Sequence, residues 1–262
     1  MLFERAALMI RHGMGWSGWI VVAIVGLVLL PIALRVATVW AAEQSHWSAA
    51  RWDSAGLAPD PAQHPEPIIQ FYAARSWGWR GIFGVHSWVA FKPRGAAAYT
   101  RYEVVGWGVG PDVPAVRRSQ RPPDGYWAGN RPAIIADRRG DGADALIRRL
   151  EDAIEAYPFA DAYVLWPGPN SNTFTAYLAR AVPELHVALP PTAIGKDYLP
   201  PGDFAALTPG GSGAQVSILG LVGLSLGLRE GIEINLLGLV VGLDLVHPAL
   251  KLPGLGRVGF PE

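Results

Sequence analysis

The sequence predicts an α+β fold that follows a single N-terminal transmembrane helix. Three observations support this prediction. A long uncharged apolar run lies near the N-terminus, several later segments alternate with a period of two, and others repeat every three or four residues. The connections between the alternating segments are short, which favours an antiparallel sheet, because parallel strands need crossovers of a dozen residues or more.

The composition narrows the class of protein. The chain has 262 residues, and its 22 Lys and Arg balance its 22 Asp and Glu, so nothing in the net charge points to a nucleic-acid partner. Only 17% of the residues are charged and 50% are apolar, which favours a membrane protein. The absence of cysteine excludes disulfides, thiolate metal sites and a cysteine nucleophile.

Residues 1–40 are predicted to form a membrane anchor. Residues 13–34 carry no charge, and a helix of this length matches a hydrocarbon core of about 30 Å. Trp16 and Trp19 near one end and Trp40 near the other are typical of an interfacial aromatic belt. We therefore expect residues 13–34 to contact membrane lipid as a single-pass helix.

The flanking charges predict the orientation of the anchor. Arg5 and Arg11 precede the span and favour a cytoplasmic N-terminus, although Arg35 and Arg51 on the other side reduce this bias. We expect a protein of the inner (cytoplasmic) membrane whose C-terminal domain is exported to the periplasm. A cleaved signal peptide is the alternative, but residues 39–41 (VWA) make a poor small-residue cleavage site.

The remainder of the chain is predicted to be a Pro-rich linker, residues 41–66, and one exported α+β domain, residues 67–262, whose core is 67–200. Period-two alternation and apolar spacings predict the elements of this core. The predicted strands are 68–75, 85–92, 99–107, 131–136 and 161–166, the predicted helices are 143–157 and 172–182, and residues 108–130 are predicted to be a surface loop.

Residues 213–246 are predicted to form a C-terminal Gly-rich β-hairpin. Two apolar runs, 215–228 and 232–245, are each too short for the ~20 residues of a spanning helix, and their glycines disfavour a soluble helix. The turn is expected near Glu230 and Gly231. The alternative is an interfacial hairpin that dips into lipid, which the charged residues at the tip disfavour.

Residues 167–174 (PGPNSNTF) are the strongest candidate for a site of chemistry. A rigid turn there leads into a helix, so the helix dipole would favour an anionic form of Ser171, the candidate nucleophile. Asn170 and Asn172 are candidate donors to an oxyanion, and Thr173 belongs to the same turn. The alternative is that these residues only cap the helix, since Ser and Asn are common caps.

A serine nucleophile needs a base and a group that orients the base. His86 lies in the middle of a predicted strand and is the candidate base, and Glu103 on the next predicted strand is the candidate orienting group. Trp88 on the strand of His86 completes the predicted binding residues. Both titratable residues could instead be ordinary strand residues. No metal-ligand spacing and no phosphate-binding glycine loop occurs, so no cofactor is predicted.

Several runs of residues resemble a bacterial family known as domain of unknown function 3750. The resemblance covers most of residues 65–257 and carries no known activity. The runs that carry it are 84–88 (GVHSW), 166–174 (WPGPNSNTF), 182–185 (VPEL), 189–197 (LPPTAIGKD) and 248–253 (PALKLP).

The order of the candidate residues is also distantly similar to that in circularly permuted NlpC-type papain-like proteins, which include lecithin–retinol acyltransferase. That resemblance implies that His86 is the base, Glu103 the third residue, and residues 170–174 (NSNTF) the nucleophile turn. Ser171 stands where those proteins have cysteine.

Two functions remain open at this stage. The first is a serine-variant hydrolase or acyltransferase that acts on amide or ester bonds, with peptidoglycan peptides or lipid esters as substrates. The second is a non-catalytic envelope module that binds lipid, peptide or a partner protein through a remnant groove.

Overall fold

The computed structural model of the chain describes residues 15–41 and 49–260. In this part of the chain, an N-terminal helix precedes a five-stranded sheet packed with helices and then a seven-stranded sheet. Neighbouring strands pair antiparallel in both sheets, so the predicted α+β class with antiparallel sheets is confirmed. Arg5, Arg11 and the first residues of the predicted linker lie outside the described residues, as does the side chain of Trp40.

The first helix, α1 (Trp16–Ala41), is 26 residues long. Over Trp16–Val39 its mean hydropathy reaches 2.7, so it is long and apolar enough to cross a membrane. Its first half is exposed, whereas Ile32 and Arg35 lie beside Gly254 of the C-terminal sheet. The helix therefore projects from the domain but packs against it near its C-terminal end.

The five-stranded sheet has the order β4-β3-β2-β1-β5. Predicted strands account for four of its members, and β4 lies within 108–130, which was predicted to be a loop. Its strands are β1 (Ile68–Arg75), β2 (Val85–Lys92), β3 (Thr100–Val104), β4 (Val116–Ser119) and β5 (Ala133–Arg139). The central strands β1 and β2 are buried on both faces, because different segments of the chain cover the two faces of the sheet.

Helices cover one face of this sheet. A short helix, α2 (Arg80–Phe83), joins β1 to β2, while α3 (Ala143–Glu155) and α4 (Ser171–Ala181) pack on the face that carries Phe71 and Val89. A 3₁₀ helix, Pro183–Leu185, follows α4. The predicted helices 143–157 and 172–182 are therefore confirmed to within two residues.

The predicted strand at 161–166 is wrong. The segment consists of turns and bends, and the N–H of Val164 donates to the carbonyl of Pro169 at 2.7 Å instead of to a neighbouring strand. The ring of Tyr163 lies so close to Gly106 that a Cβ there would be 2.4 Å from it. The segment therefore forms a bend with no sheet ladder, and Tyr163 packs against Gly106.

Residues 49–66 cover the other face of the five-stranded sheet, although their proline content predicted a linker. The Asp124 carboxylate accepts hydrogen bonds from the Ser54 hydroxyl at 2.8 Å and from the N–H of Ala58 at 3.1 Å. Trp52 contacts Trp127 edge to face, with ring centroids 5.6 Å apart. This segment is therefore part of the packed domain.

The C-terminal region is a seven-stranded meander, so the prediction of one hairpin over 213–246 is wrong. Two tight turns divide each predicted arm into two strands. One comprises residues 219–221, with positive φ at Leu219 and Gly220, and the other is the two-residue turn Leu237-Gly238, with positive φ at both positions. The expected turn before Gly231 does occur. The strands are β6 (Ala205–Leu207), β7 (Gly213–Ile218), β8 (Val222–Gly227), β9 (Gly231–Leu236), β10 (Leu239–Asp244), β11 (Ala249–Leu252) and β12 (Gly256–Gly259).

A buried charge cluster joins the meander to the rest of the domain. The Lys196 ammonium contacts the Glu233 carboxylate, which also accepts a hydrogen bond from Lys251 at 2.6 Å. Asn235 donates to the Asp197 carboxylate at 2.9 Å. Polar groups, and not an apolar core, therefore hold the two sheets together at this contact.

Candidate active site

A cavity of about 690 Å³ lies where the N-terminal ends of β2 and α4 meet the β9–β10 turn. His86 and Ser171 both line it, so the structure brings the predicted base and nucleophile to one cavity. Its volume falls in the range of small-molecule sites. Apolar groups form most of its wall, and the aromatic rings that line it belong to Trp77, Trp79, Phe83, Trp107, Trp127, Tyr163 and Trp166.

The predicted partnership of His86 and Glu103 occurs in the structure. Trp88 on β2 pairs with Glu103 on β3. His86 is two residues before Trp88, so its side chain lies on the same face of the sheet as those of Trp88 and Glu103. His86 Nε2 is 3.0 Å from Glu103 Oε2, and Arg101 Nη2 donates to the same oxygen at 2.9 Å. All three side chains are buried, so the cluster is a buried ion-pair network within the sheet rather than a surface ion pair.

The environment sets the charge of both groups. Burial alone would raise the pKa of Glu103, but the hydrogen bond from His86 and the charge of Arg101 outweigh it and lower the pKa to about 2. Burial lowers the pKa of His86 and outweighs the opposing effect of the Glu103 carboxylate. We therefore expect an ionised Glu103 and a neutral His86 at neutral pH. If Nε2–H of this neutral ring donates to Glu103, Nδ1 remains as an acceptor.

Aromatic rings hold the His86 ring in place. Trp127 stacks on it with ring centroids 3.5 Å apart, and the ring centroid of Trp88 lies 5.7 Å from that of His86. Trp88 is fully buried, and its Nε1–H donates to the carbonyl of Pro123 at 2.7 Å. Trp88, a predicted binding residue, therefore packs beside His86 and is not among the residues that line the cavity.

Arg101 and Trp127 also belong to the site, although the sequence patterns did not predict them. Arg101 and Glu103 are two residues apart on a strand, and this spacing alone places both side chains on one face. Trp127 follows a Pro-rich turn in a segment predicted to be a loop, where periodicity gives no signal. The abundance of tryptophan, 11 residues, was the one compositional sign of an aromatic site.

Ser171 is the first residue of α4, and Asn170 is its cap. The Asn170 side chain accepts from the N–H groups of Asn172 at 2.9 Å and Thr173 at 3.3 Å, while Thr173 Oγ1 accepts from the Asn170 N–H at 3.1 Å. This reciprocal arrangement is a capping box. The capping interpretation therefore applies to Asn170 and Thr173, and it leaves the Ser171 hydroxyl out of the cap.

The side-chain amides predicted as oxyanion donors are occupied by backbone carbonyls. Asn170 Nδ2 donates to Leu165 and Ile194 at 3.1 Å each, and Asn172 Nδ2 donates to Val85 at 3.0 Å and Ile194 at 2.8 Å. Both residues therefore position the turn. Among the described residues, the backbone N–H of Ser171 has no hydrogen-bond partner, so this amide is the donor available at the start of α4.

The two candidate catalytic side chains reach the cavity from opposite faces of β2. Ser87, the residue after His86, points toward α4 and donates to Asn172 Oδ1 at 2.7 Å, so His86 points to the other face. Within residues 49–260, no hydrogen bond joins the Ser171 hydroxyl to His86. The cavity at the end of the strand is the space that both side chains share.

The polar groups of the site suit proton transfer better than metal binding. Within the part of the chain that the structure describes, no group of three or more His, Asp or Glu side chains is placed to hold a metal ion. His86 and Arg101 already occupy the bonded oxygen of Glu103.

Comparison with known proteins gives membership of a family and no activity. No curated protein and no solved structure matches the chain. One family, described as protein of unknown function (DUF3750), matches residues 66–198, which is just over half of the 262 residues and includes His86, Glu103 and Ser171. The chain therefore belongs to the DUF3750 family.

Proposed function

We propose that this protein is a membrane-anchored acyl hydrolase or acyltransferase in which Ser171 is the nucleophile, His86 the general base and Glu103 the group that orients the base. One observation carries the proposal: a buried imidazole bound to a carboxylate and a serine at a helix N-terminus line the same cavity. These are the parts that serine-dependent acyl transfer requires.

The chemistry follows from these positions. Ser171 Oγ attacks the substrate carbonyl carbon while its proton passes to Nδ1 of His86, and the Glu103 carboxylate stabilises the imidazolium. The new oxyanion accepts a hydrogen bond from the Ser171 backbone N–H at the positive end of α4. His86 returns the proton to the leaving alcohol or amine. Water or an acceptor alcohol then releases the acyl group from Ser171 by the reverse steps.

Substrate binding has to bring Ser171 Oγ within about 3 Å of His86, because proton transfer needs hydrogen-bond contact. Ligand-free sites are commonly looser than this, and tighten in the complex. Because Ser171 takes no part in the capping box, turning its side chain into the cavity breaks none of the hydrogen bonds of the cap.

The distant resemblance to papain-like proteins supports the same assignment of roles. A serine hydroxyl ionises far less readily than a cysteine thiol, so a serine variant depends more strongly on its base. The low pKa of Glu103, about 2, keeps a full negative charge beside His86 for this purpose. Of the two substrate classes predicted, lipid esters fit the aromatic cavity better than peptidoglycan peptides.

The location of the reaction is part of the proposal. We infer that α1 anchors the chain in the cytoplasmic membrane and that the domain faces the periplasm. The apolar length of α1 supports the anchor, and the two arginines before it in the sequence support the orientation.

A second candidate is a binding module for an apolar ligand without chemistry. The observation in its favour is that no hydrogen bond joins Ser171 to His86 within residues 49–260, while aromatic rings surround the cavity. In that case the buried polar cluster would only stabilise the sheet.

A fluorophosphonate probe separates these candidates. We expect the full-length protein in detergent to be labelled, and Ser171→Ala to abolish labelling. Ser76→Ala is the matched control, because Ser76 lines the same cavity and should leave labelling unchanged. His86→Ala should slow labelling about 100-fold or more, the usual contribution of a general base. Thermal unfolding of each variant verifies that it is folded.

Equal labelling of the wild type and Ser171→Ala would exclude Ser171 as the nucleophile. Binding of a fluorescent fatty acid by the wild type, with no labelling at any pH, would favour the binding module.

A further inference from the structure

The seven-stranded sheet carries an aliphatic face that points away from the domain. Paired residues on neighbouring antiparallel strands lie on the same side, so the pairs Val216–Leu224 and Leu224–Ile234 extend one apolar row across three strands. Each of these side chains is exposed. We call this surface the aliphatic face, and its members include Val216, Leu224, Ile234, Leu243, Leu250 and Val258.

The opposite face of the same strands is polar and buried. In β9, Glu233 and Asn235 point inward while Ile232, Ile234 and Leu236 point outward. A sheet with one face in water normally shows the reverse pattern, with apolar residues inward and polar residues outward. None of the outward positions on β7 to β12 carries a charge. A continuous apolar surface of this extent marks a contact with something other than water.

The helix α1 packs on the sheet that carries this face. It contacts β10 and β11, and its Ile32 and Arg35 approach Gly254 in the turn between β11 and β12. Residues 16–30 of α1 precede its contacts with the meander and span about 22 Å at 1.5 Å per residue, which is less than the hydrocarbon thickness of about 30 Å. The predicted lipid-contacting span, residues 13–34, includes Ile32, so a bilayer that covers this span reaches the level at which the helix packs on the meander.

We propose that the aliphatic face lies on the lipid bilayer, with its side chains in the apolar part of the interface beside α1. The sheet has open edges, so it lies on the membrane and does not cross it, because unpaired backbone groups are not tolerated in hydrocarbon. The leucines at the strand ends, Leu228 and Leu245, are exposed and extend the same surface. This surface is independent of whether Ser171 is reactive.

Fluorescence quenching in vesicles tests the contact. The chain has no cysteine, so Leu224→Cys and Ile234→Cys each accept one environment-sensitive fluorophore. The full-length protein is reconstituted in phosphatidylethanolamine–phosphatidylglycerol vesicles, with or without lipid that carries a quencher on its acyl chain. Aqueous iodide is the second quencher. We expect lipid-borne quencher to act several-fold more strongly at both positions than at the control, and iodide several-fold less.

Asp141→Cys is the matched control. Asp141 is fully exposed and follows β5, near the Ile68 end of β1, whereas the other end of β1 lies at Arg75, which donates to Leu255 of the meander. A label there is anchored by the same α1 but lies away from the aliphatic face. Anchoring alone therefore cannot produce the expected difference.

Two results would overturn the proposal. The first is equal iodide quenching at Leu224, Ile234 and Asp141 without an effect of the lipid quencher, which would leave the face in water. The second is protection from iodide without lipid quenching, together with disulfide formation between unlabelled Leu224→Cys chains, which would assign the face to a second copy of the chain.

Discussion

The two sheets of this protein follow the same alternation of side chains but bury opposite kinds of residue. In the five-stranded sheet, Phe71 and Val89 point into an apolar core beneath α3 and α4. In the meander, Glu233 points inward and Ile234 points outward. The period of a strand thus predicts which residues share a face, but the surroundings decide which face is buried.

The two sheets also differ in the interactions that stabilise them. Removal of apolar surface from water stabilises the five-stranded sheet. The meander instead buries ion pairs such as Lys196–Glu233 on its inner face. Such pairs give little net stability, but removing one partner leaves a charge buried without compensation. In the meander, we therefore expect substitution of an inward polar residue to reduce stability more than substitution of an outward apolar residue.

The largest expected effect comes from removing an inward polar side chain of the meander, compared with its outward apolar neighbour. Glu233→Ala leaves the ammonium groups of Lys196 and Lys251 buried without their carboxylate, so we expect a loss of about 3–5 kcal/mol in the free energy of unfolding. Ile234→Ala, the next residue, removes an outward side chain and should cost less than about 1 kcal/mol. Urea unfolding of both variants in detergent measures the difference. The reverse order would show that the meander is stabilised as an ordinary sheet.

A smaller loss of stability is expected from a substitution at Gly195, where the two sheets meet. Gly195 has φ +99°, and a Cβ there would lie 2.5 Å from Asn170 Nδ2, so Gly195→Ala should disturb the cap of α4 and cost about 1–3 kcal/mol. Gly202→Ala is the control, since Gly202 has a similar φ of +95° and open space around it. Thermal unfolding compares them. If the two variants lose equal stability, the contact with Asn170 contributes nothing.

The smallest expected effect is a difference between the two sheets in how their stability depends on pH. Burial lowers the pKa of His86 below its ordinary 6.5, so the unfolded chain binds the proton more readily and stability falls as pH drops below about 6.5. One group changes stability by at most about 1.4 kcal/mol per pH unit. Although burial opposes it, the two lysines lower the pKa of Glu233 below its ordinary 4.5, so its contribution persists until the pH falls below about 4.5.

Hydrogen exchange of the two sheets at different pH values measures this separation. Between pH 6.5 and 5, protection should decrease in β2 and β3 and remain constant in β9. His86→Gln should remove the decrease in β2 and β3. Parallel loss of protection in both sheets of the wild type would mean that they unfold as one unit.

Much of the five-stranded sheet and its helices could be predicted because the signals are local. Alternation identifies β2, an apolar run identifies β1, and an apolar helical repeat identifies α3. The apolar run at 161–166 misled the prediction, because its side chains pack around a bend and the cavity. The hairpin prediction failed because a two-residue turn such as Leu237-Gly238 needs positive φ at a leucine, which sequence patterns do not predict.

Some features of the candidate site could likewise be predicted from local sequence, and others could not. The roles of Asn170 and Thr173 as caps follow from the local order of residues at a helix start. Arg101 could be placed beside Glu103 from spacing alone, but its contact with that carboxylate depends on side-chain burial. Trp127 stacks on His86 from a distant loop, so no local pattern links the two residues.

By itself, the sequence determined the apolar helix α1, the antiparallel α+β class and the capped start of α4, because these depend on the chemistry of neighbouring residues and on the periods of helix and strand. The tertiary structure alone decided that His86 meets Glu103 and shares a cavity with Ser171, and that the meander turns its leucines outward. These features depend on strand register and on which distant segment covers each face, and nearby residues encode neither.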